Sequence, residues 1–362
     1  MIEVTKLDLD STKRSIVITD IHASLKLFKQ LLEKVNYIDD DYLFINGDLC
    51  EKGPNSLEVV RFVRALKKKS EHVFVTKGNC DVIYRPVFDG MNGITGYMKK
   101  QRYSILNEMM EKHGKTLEDF PNLEKLAAFY RLYFQQEIEW LESLPVAYET
   151  ADHIMIHAGI DNHDNWLHTE ESVALSVPSF YELCHQAGKP VIVGHWPVVN
   201  YRTQQVCSNN PLIDLDKRVI ALDGGNQIKR DGQLNALIIE NGHYSYTYVD
   251  ELTEEASIKK NHTDSTGRIG TVTYPNYELE IIGKEEYFTL CEIKNLGIKQ
   301  WVKNEYIASS EGKVCCTDDL STTFLSVAEN EKVWVIENKC AGYTLVKNSN
   351  GEVGWVPDDC FE

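Results

Sequence analysis

Three short polar clusters carry side chains able to do metal chemistry: Asp20-Ile21-His22, Gly47-Asp48 and Gly78-Asn79-Cys80-Asp81. Asp, His and Asn are hard or borderline ligands that suit a divalent ion such as manganese, iron or zinc. Each cluster closes a β-branched or aromatic run, respectively Ser15–Thr19, Tyr42–Asn46 and His72–Thr76. Such runs read as buried strands. In an open α/β sheet, ligands bind at the carboxyl ends of the strands. One aspartate after a strand is most often a turn former or a helix cap. Three such clusters at consecutive strand ends point instead to a metal site.

The elements that must position these residues are legible around them. Leu25, Phe28, Leu31, Leu32 and Val35 recur at helical spacing, and so do Leu57, Val60, Val63 and Leu66 after Asn55, a plausible N-cap. The first eighty or so residues are therefore β-α-β-α-β, which predicts parallel strands with right-handed crossovers. Residues 90–144 read as mainly helical, a cap or flank beside the sheet. Strands are predicted at His153–Ile156 before His157-Ala158-Gly159, and at Val191–Val193 before Gly194-His195-Trp196-Pro197. Two more, Arg218–Leu222 and Leu234–Glu240, are followed by a hairpin through Asn241-Gly242.

The chain has 362 residues, and a soft prior of roughly 150 per domain suggests two or three domains. Its 38 basic and 55 acidic residues give a net charge of −17, which argues against nucleic-acid binding and against adhesion to anionic membranes. A phosphate substrate would need local cations to overcome that field. No apolar run approaches the roughly 20 residues of a membrane span, and no signal segment is evident at Met1-Ile2-Glu3-Val4. Nine cysteines without CxxC spacing fit reduced thiols, so a cytoplasmic location is expected. Cys315 and Cys316 are expected on opposite faces of a strand.

After Asp250 the character changes. Residues 251–266 read as a charged linker, and the runs beyond are short and strand-like. Phe288-Thr289-Leu290 precedes Trp301-Val302 and Tyr306, much as Tyr343-Thr344-Leu345 precedes Trp355-Val356 and Cys360. This internal repeat suggests two small β-barrels in tandem.

Taken together, the motifs of residues 14–250 resemble the phosphoprotein-phosphatase branch of the calcineurin-like metallophosphatases. Asp20-Ile21-His22 is similar to that family's GDxHG, with Thr19 at the first Gly. Gly47 to Gly53 resembles GDxVDRG, and Gly78-Asn79-Cys80-Asp81 resembles GNHE. His157-Ala158-Gly159, Gly194-His195-Trp196-Pro197-Val198 and Leu222-Asp223-Gly224-Gly225 resemble the later elements, in family order. The resemblance implies a four-layer αββα sandwich over residues 1–250, classed α/β (α+β). It also implies two divalent ions, manganese first and iron or zinc as alternatives. Asp20, His22 and Asp48 would hold one; Asp48 as bridge, Asn79, His157 and His195 would hold the other. A metal-bridging hydroxide would attack the phosphoryl group. The repeats at 251–312 and 313–362 resemble bacterial Src-homology-3-like barrels, carried by Gly354-Trp355-Val356-Pro357. Such barrels often bind peptide or protein partners; the other reading makes Trp301 and Trp355 barrel-packing residues.

The departures bear on substrate. Cys80 stands where the family carries its general-acid histidine, and Glu51 where an aspartate orients it. A thiol with a pKa near 8.5 is a poor proton donor beside imidazolium. Glu51, Cys80 and Asp81 are therefore the candidate catalytic residues, with Glu51 as a possible replacement acid. Lys52 replaces an arginine that grips phosphate; Lys52, Asn79 and Arg85 are the candidate substrate contacts. The first expectation is a serine/threonine-type protein phosphatase acting on a phosphomonoester. A phosphodiesterase or dinucleoside-polyphosphate hydrolase is the alternative, because GNCD and HAG also occur in those branches. A degenerate phosphatase serving as a phosphopeptide adaptor is the third.

Overall fold

The computed structural model describes residues 2–310 and 312–362, and the chain divides into two compact units. The first comprises residues 1–196, 211–228 and 233–249; the second comprises 197–210, 229–232 and 250–362.

The first unit contains strands β1 (Val4–Lys6), β2 (Ser15–Ile18), β3 (Tyr42–Asn46), β4 (Val73–Thr76), β5 (Ala147–Glu149) and β6 (Ile154–Ile156). It continues with β7 (Val191–Val193), β8 (Leu212–Asp214), β9 (Val219–Ala221), β10 (Gln233–Glu240) and β11 (His243–Asp250). Its helices are α1 (Leu25–Lys34), α2 (Ser56–Lys69), α3 (Arg85–Phe88), α4 (Gly93–Lys100), α5 (Ile105–Glu111), α6 (Leu123–Glu142) and α7 (Glu171–Ser176). One sheet has the order β11-β10-β2-β3-β4 and the other β1-β5-β6-β7-β9-β8. As the β-α-β-α-β pattern predicts, β2, β3 and β4 are parallel neighbours.

Strand alternation sorts side chains between two cores. On β2, Ile16 and Ile18 join Leu27, Phe28, Leu31, Val60 and Val63 under the helices. Val17, between them, joins Phe44, Phe74, Tyr148, Met155, Ile192 and Leu237 between the sheets. Each fully buried Leu, Ile or Phe contributes roughly 1.5–3 kcal/mol relative to exposure, so the two sheets are fixed face to face. Among the described residues, the connections of the six-stranded sheet hold one short helix, α7, besides 3-10 turns. The fourth helical layer is thus much thinner than the sandwich expected from the motifs, because those connections are too rich in Gly, Pro, Asn and Asp to sustain helices. No helix among the described residues is long and apolar enough to cross a membrane.

The second unit is all β. Its strands are β12 (Glu255–Ser257), β13 (Thr271–Val272), β14 (Glu278–Lys284), β15 (Phe288–Ile293), β16 (Ile298–Lys303) and β17 (Ile307–Ser310). Then come β18 (Lys313–Cys316), β19 (Leu320–Ser321), β20 (Lys332–Glu337), β21 (Tyr343–Lys347) and β22 (Val353–Pro357). The repeat is visible as two hairpins, β15–β16 and β21–β22, each ending in a 3-10 turn. Cys315 is half-buried and Cys316 buried on β18, in line with opposite faces of one strand.

The sequence-derived boundaries shift here. Residues 251–266 are not only a linker, since β12 pairs with β20. A cut at 312/313 would separate β17 from its partner β18. Residues 197–210 and 229–232 belong with the β unit: Val199 and Cys207 share a core with Val272, Phe288 and Trp355, and Lys229 Nζ lies 2.7 Å from Asp319. Trp355 is fully buried and donates its indole N–H to the Ser321 carbonyl at 2.8 Å. It is a packing residue, which removes it from the aromatics available to a peptide.

Candidate metal centre

The strand ends of both sheets of the first unit converge on one point. Asp20 follows β2, Asp48 follows β3, Asn79 follows β4, His157 follows β6 and His195 follows β7. Four of the sequence-derived ligands have left-handed backbone: Asp20 (φ 54°), His22 (46°), Asp48 (54°) and His195 (65°). Non-glycine residues adopt this conformation at a cost of order 1–3 kcal/mol each, and such residues cluster at functional sites. The crowding also explains the flanking glycines. A Cβ on Gly78 would lie 2.2 Å from Asp48 Oδ1, and one on Gly194 would lie 2.1 Å from Asp20 Oδ2.

Hydrogen bonds fix which atoms face inward. His22 donates from Nδ1 to the Cys50 carbonyl (3.2 Å), and His157 donates from Nδ1 to the Asn46 carbonyl (3.0 Å). Both rings therefore turn Nε2 toward the cluster, the usual support of a ligating histidine. His157 Nε2 lies 3.3 Å from Asp48 Oδ1, and His22 Nε2 lies 3.8 Å from Asp20 and 3.9 Å from Asp48. Asn79 Oδ1 lies 3.1 Å from His157 Nε2. That oxygen faces His157 Nε2, His195 Nδ1 and the Leu175 carbonyl, three acceptors; only a turned amide would place its NH2 against them. Ligands about 2.1 Å from one ion stand roughly 3–3.7 Å apart; the separations of His157 from Asp48 and Asn79 fall in that range, and those of His22 from Asp20 and Asp48 lie just beyond it.

The two later histidines sit in opposite electrostatic surroundings. Burial holds the His195 pKa down to about 4, aided by the charge of His157, so the ring is neutral. Burial also opposes charge on His157, but the Asp48 carboxylate outweighs it and raises the pKa to about 10. His22, Asp48 and Cys80 offer ligand atoms within 4.8 Å of one another, as do Asp48, His157 and His195. Asp48 belongs to both groups, which is the requirement for a bridge.

The neighbouring candidates sort differently from the sequence reading. Asp81 is buried and touches no open space. Its Oδ2 accepts the N–H groups of Asp48 (2.9 Å) and Gly78 (2.8 Å), and its Oδ1 those of Leu49 (2.9 Å) and Cys50 (3.3 Å). It ties the Asp48 and Gly78 loops together, which is the geometry of a positioning residue. Glu51 is fully buried; Tyr97, Ser104 Oγ (3.0 Å) and the Ile105 N–H (2.7 Å) all donate to it. It anchors α4 and α5 and is not placed as a replacement acid. Arg85 forms a fork with Glu142 (2.6 and 3.1 Å) and reaches Glu171 at 3.1 Å. Its charge is spent on these carboxylates, which corrects its assignment as a substrate contact. Cys80 is buried, and burial together with Asp48 pushes its thiol pKa well up. Lys52, with φ 68°, stays half-buried, and its Nζ makes no ion pair among the described residues.

Asn46 is the positioning residue that the motifs did not reveal. Its Nδ2 donates across the sandwich to the carbonyls of Ile156 (2.9 Å) and Ile192 (3.1 Å), and its Oδ1 accepts from Thr76 (3.0 Å). The signal was present: an asparagine closing an otherwise apolar strand. Thr19 also has a use at the family's glycine position, with its hydroxyl 2.6 Å from Asp20 Oδ2.

A two-sheet α/β unit with Asp, His and Asn side chains gathered at its strand ends has the architecture of a metallophosphoesterase-type fold. The model of the calcineurin-like phosphoesterase family matches residues 13–199, and the chain belongs to that family. A symmetrical bis(5'-nucleosyl)-tetraphosphatase of Buchnera aphidicola is 40% identical over 87 residues, 24% of this chain and 29% of that protein. An asymmetrical bis(5'-nucleosyl)-tetraphosphatase of Halalkalibacterium halodurans is 28% identical over 166 residues, 41% of this chain and 58% of that protein. The chain thus spans well under two thirds of either relative. Among solved structures, a protein serine/threonine phosphatase of Saccharomyces cerevisiae overlays with a TM-score of 0.45 at 12% identity, over 70% of this chain and 85% of that one.

Proposed function

We propose that the chain hydrolyses dinucleoside polyphosphates on a two-ion site held by Asp20, His22, Asp48, Asn79, His157 and His195. When bound, two divalent cations, manganese by first choice, would polarise the phosphoryl group and lower the pKa of the attacking water. The protein's own groups supply the rest. Asp81 and Asn46 hold the ligand loops in register, and Lys52 offers an unpaired cation for a phosphate oxygen against the net charge of −17.

The observation that carries this reading is the state of the two proton-donor positions. Cys80 is a buried thiol with a raised pKa, and Glu51 is engaged by Tyr97, Ser104 and Ile105. Neither is suited to protonating a departing serine alkoxide. A nucleotide leaving group, whose phosphate has a second pKa of about 6, needs no such proton. The names of the two tetraphosphatase relatives support the same choice.

A protein phosphomonoester is the second reading. It is favoured by the all-β second unit, whose two hairpin–turn repeats resemble Src-homology-3-like barrels and would recruit a protein or peptide partner. Initial rates with manganese separate the two. Diadenosine tetraphosphate should be cleaved fastest, p-nitrophenyl phosphate next, and a phosphoserine peptide at least about 100-fold more slowly, the contribution typical of a missing general acid. A phosphoserine peptide turned over as fast as the dinucleotide would contradict the proposal.

A further inference from the structure

Asp223 lies outside the six ligands assigned by the motifs, yet the register of the six-stranded sheet carries it to their level. β6, β7 and β9 are parallel neighbours, with Ile154 opposite Val191 and Val193 opposite Ala221. The Gly194 N–H donates to the His157 carbonyl at 2.8 Å. Two residues beyond Val193 and Ala221 stand His195 and Asp223, so three adjacent strand ends present His157, His195 and Asp223. The loop after β9 is fastened to the opposite sheet, because Asn226 Nδ2 donates to the Ile21 carbonyl at 2.8 Å. That bond ties the loop that begins at Asp223 to the Asp20–His22 turn.

The Asp223 side chain is fully buried. Its Oδ1 accepts the Gly225 N–H at 2.8 Å, while its Oδ2 has no hydrogen-bond partner among the described residues. A bare, buried carboxylate oxygen is costly unless a positive charge faces it. The ion assigned to Asp20, His22 and Asp48 has three protein groups, whereas the other has four.

The geometry points to Asp223 as the fourth protein group on the ion of Asp20, His22 and Asp48. The assignment rests on the two-ion reading. Three buried carboxylates, Asp20, Asp48 and Asp223, then face two divalent cations, and each has a counter-charge.

The test is a calorimetric manganese titration of chelator-treated wild type, Asp223→Asn and Asp223→Ala, with thermal melts of each in chelator. Wild type should take up two ions. In both variants one binding step should weaken about 10–100-fold, the range found when a metal-site partner is removed, and the other should stay within about threefold. In chelator, Asp223→Asn should melt at or above wild type, because a buried unpaired charge has gone. Two unchanged affinities would overturn the assignment and leave the two-ion reading standing. A chelated Asp223→Asn melting far below wild type would also overturn it, by making Asp223 a residue of the fold. Fewer than two ions in wild type would overturn both.

Discussion

His157 donates its Nδ1 hydrogen at 3.0 Å to the carbonyl of Asn46, whose own side chain bridges β3 to β6 and β7. One residue thus sets both the spacing of the two sheets and the face that His157 presents. Asn46→Ala would take from the Ile156 carbonyl its Asn46 donor and from the buried Thr76 hydroxyl its Asn46 acceptor. At about 1–3 kcal/mol per buried unsatisfied group, we expect a loss of roughly 2–4 kcal/mol in urea unfolding of the chelated protein. A loss below about 0.5 kcal/mol would show that the bridge is dispensable.

Asp81 separates a positioning role from a catalytic one. Asp81→Asn turns one carboxylate oxygen into an NH2 that must face N–H donors, since both oxygens accept from the ligand loops. Manganese affinity should therefore fall at least tenfold together with kcat/KM. Unchanged metal affinity with kcat alone reduced would restore the proton-transfer role inferred from the motif.

Lys52 and Arg85 should behave unlike each other. Loss of one charged hydrogen bond to phosphate is worth about 1.5–3 kcal/mol, so Lys52→Ala should raise KM for diadenosine tetraphosphate some ten- to a hundredfold. Arg85 is committed to Glu142 and Glu171. Arg85→Ala should leave KM within about twofold, and a rise like that of Lys52→Ala would place the guanidinium on substrate after all.

Cys80 offers the test of leaving-group chemistry. Cys80→His restores an imidazole at the family's acid position, and it should accelerate a phosphoserine peptide by about 10-fold or more. Diadenosine tetraphosphate should change little. Equal acceleration of both would mean that the thiol does not limit leaving-group protonation.

Much of the site was legible because ligands sit at strand ends, and strand ends follow from local pattern. Asp20 and Asp48 needed only the apolar runs before them, whereas His157 and His195 needed the family order of the motifs as well. The roles of Glu51, Arg85 and Asp81 were not legible, because each is decided by distant partners: Tyr97 and Ser104, Glu142 and Glu171, and the N–H groups of Asp48 and Leu49. The same holds for the division of the chain. Val199 and Cys207 are apolar in sequence like any core residue, and only tertiary packing tells which core they join.

The central claim is that two ions share Asp48. Electron paramagnetic resonance of the manganese-loaded protein tests it most directly. The account predicts the multiline spectrum of an exchange-coupled manganese pair in wild type, absent in Asp48→Asn together with hydrolysis. Full hydrolytic activity in a protein showing only the six-line spectrum of isolated manganese would contradict it.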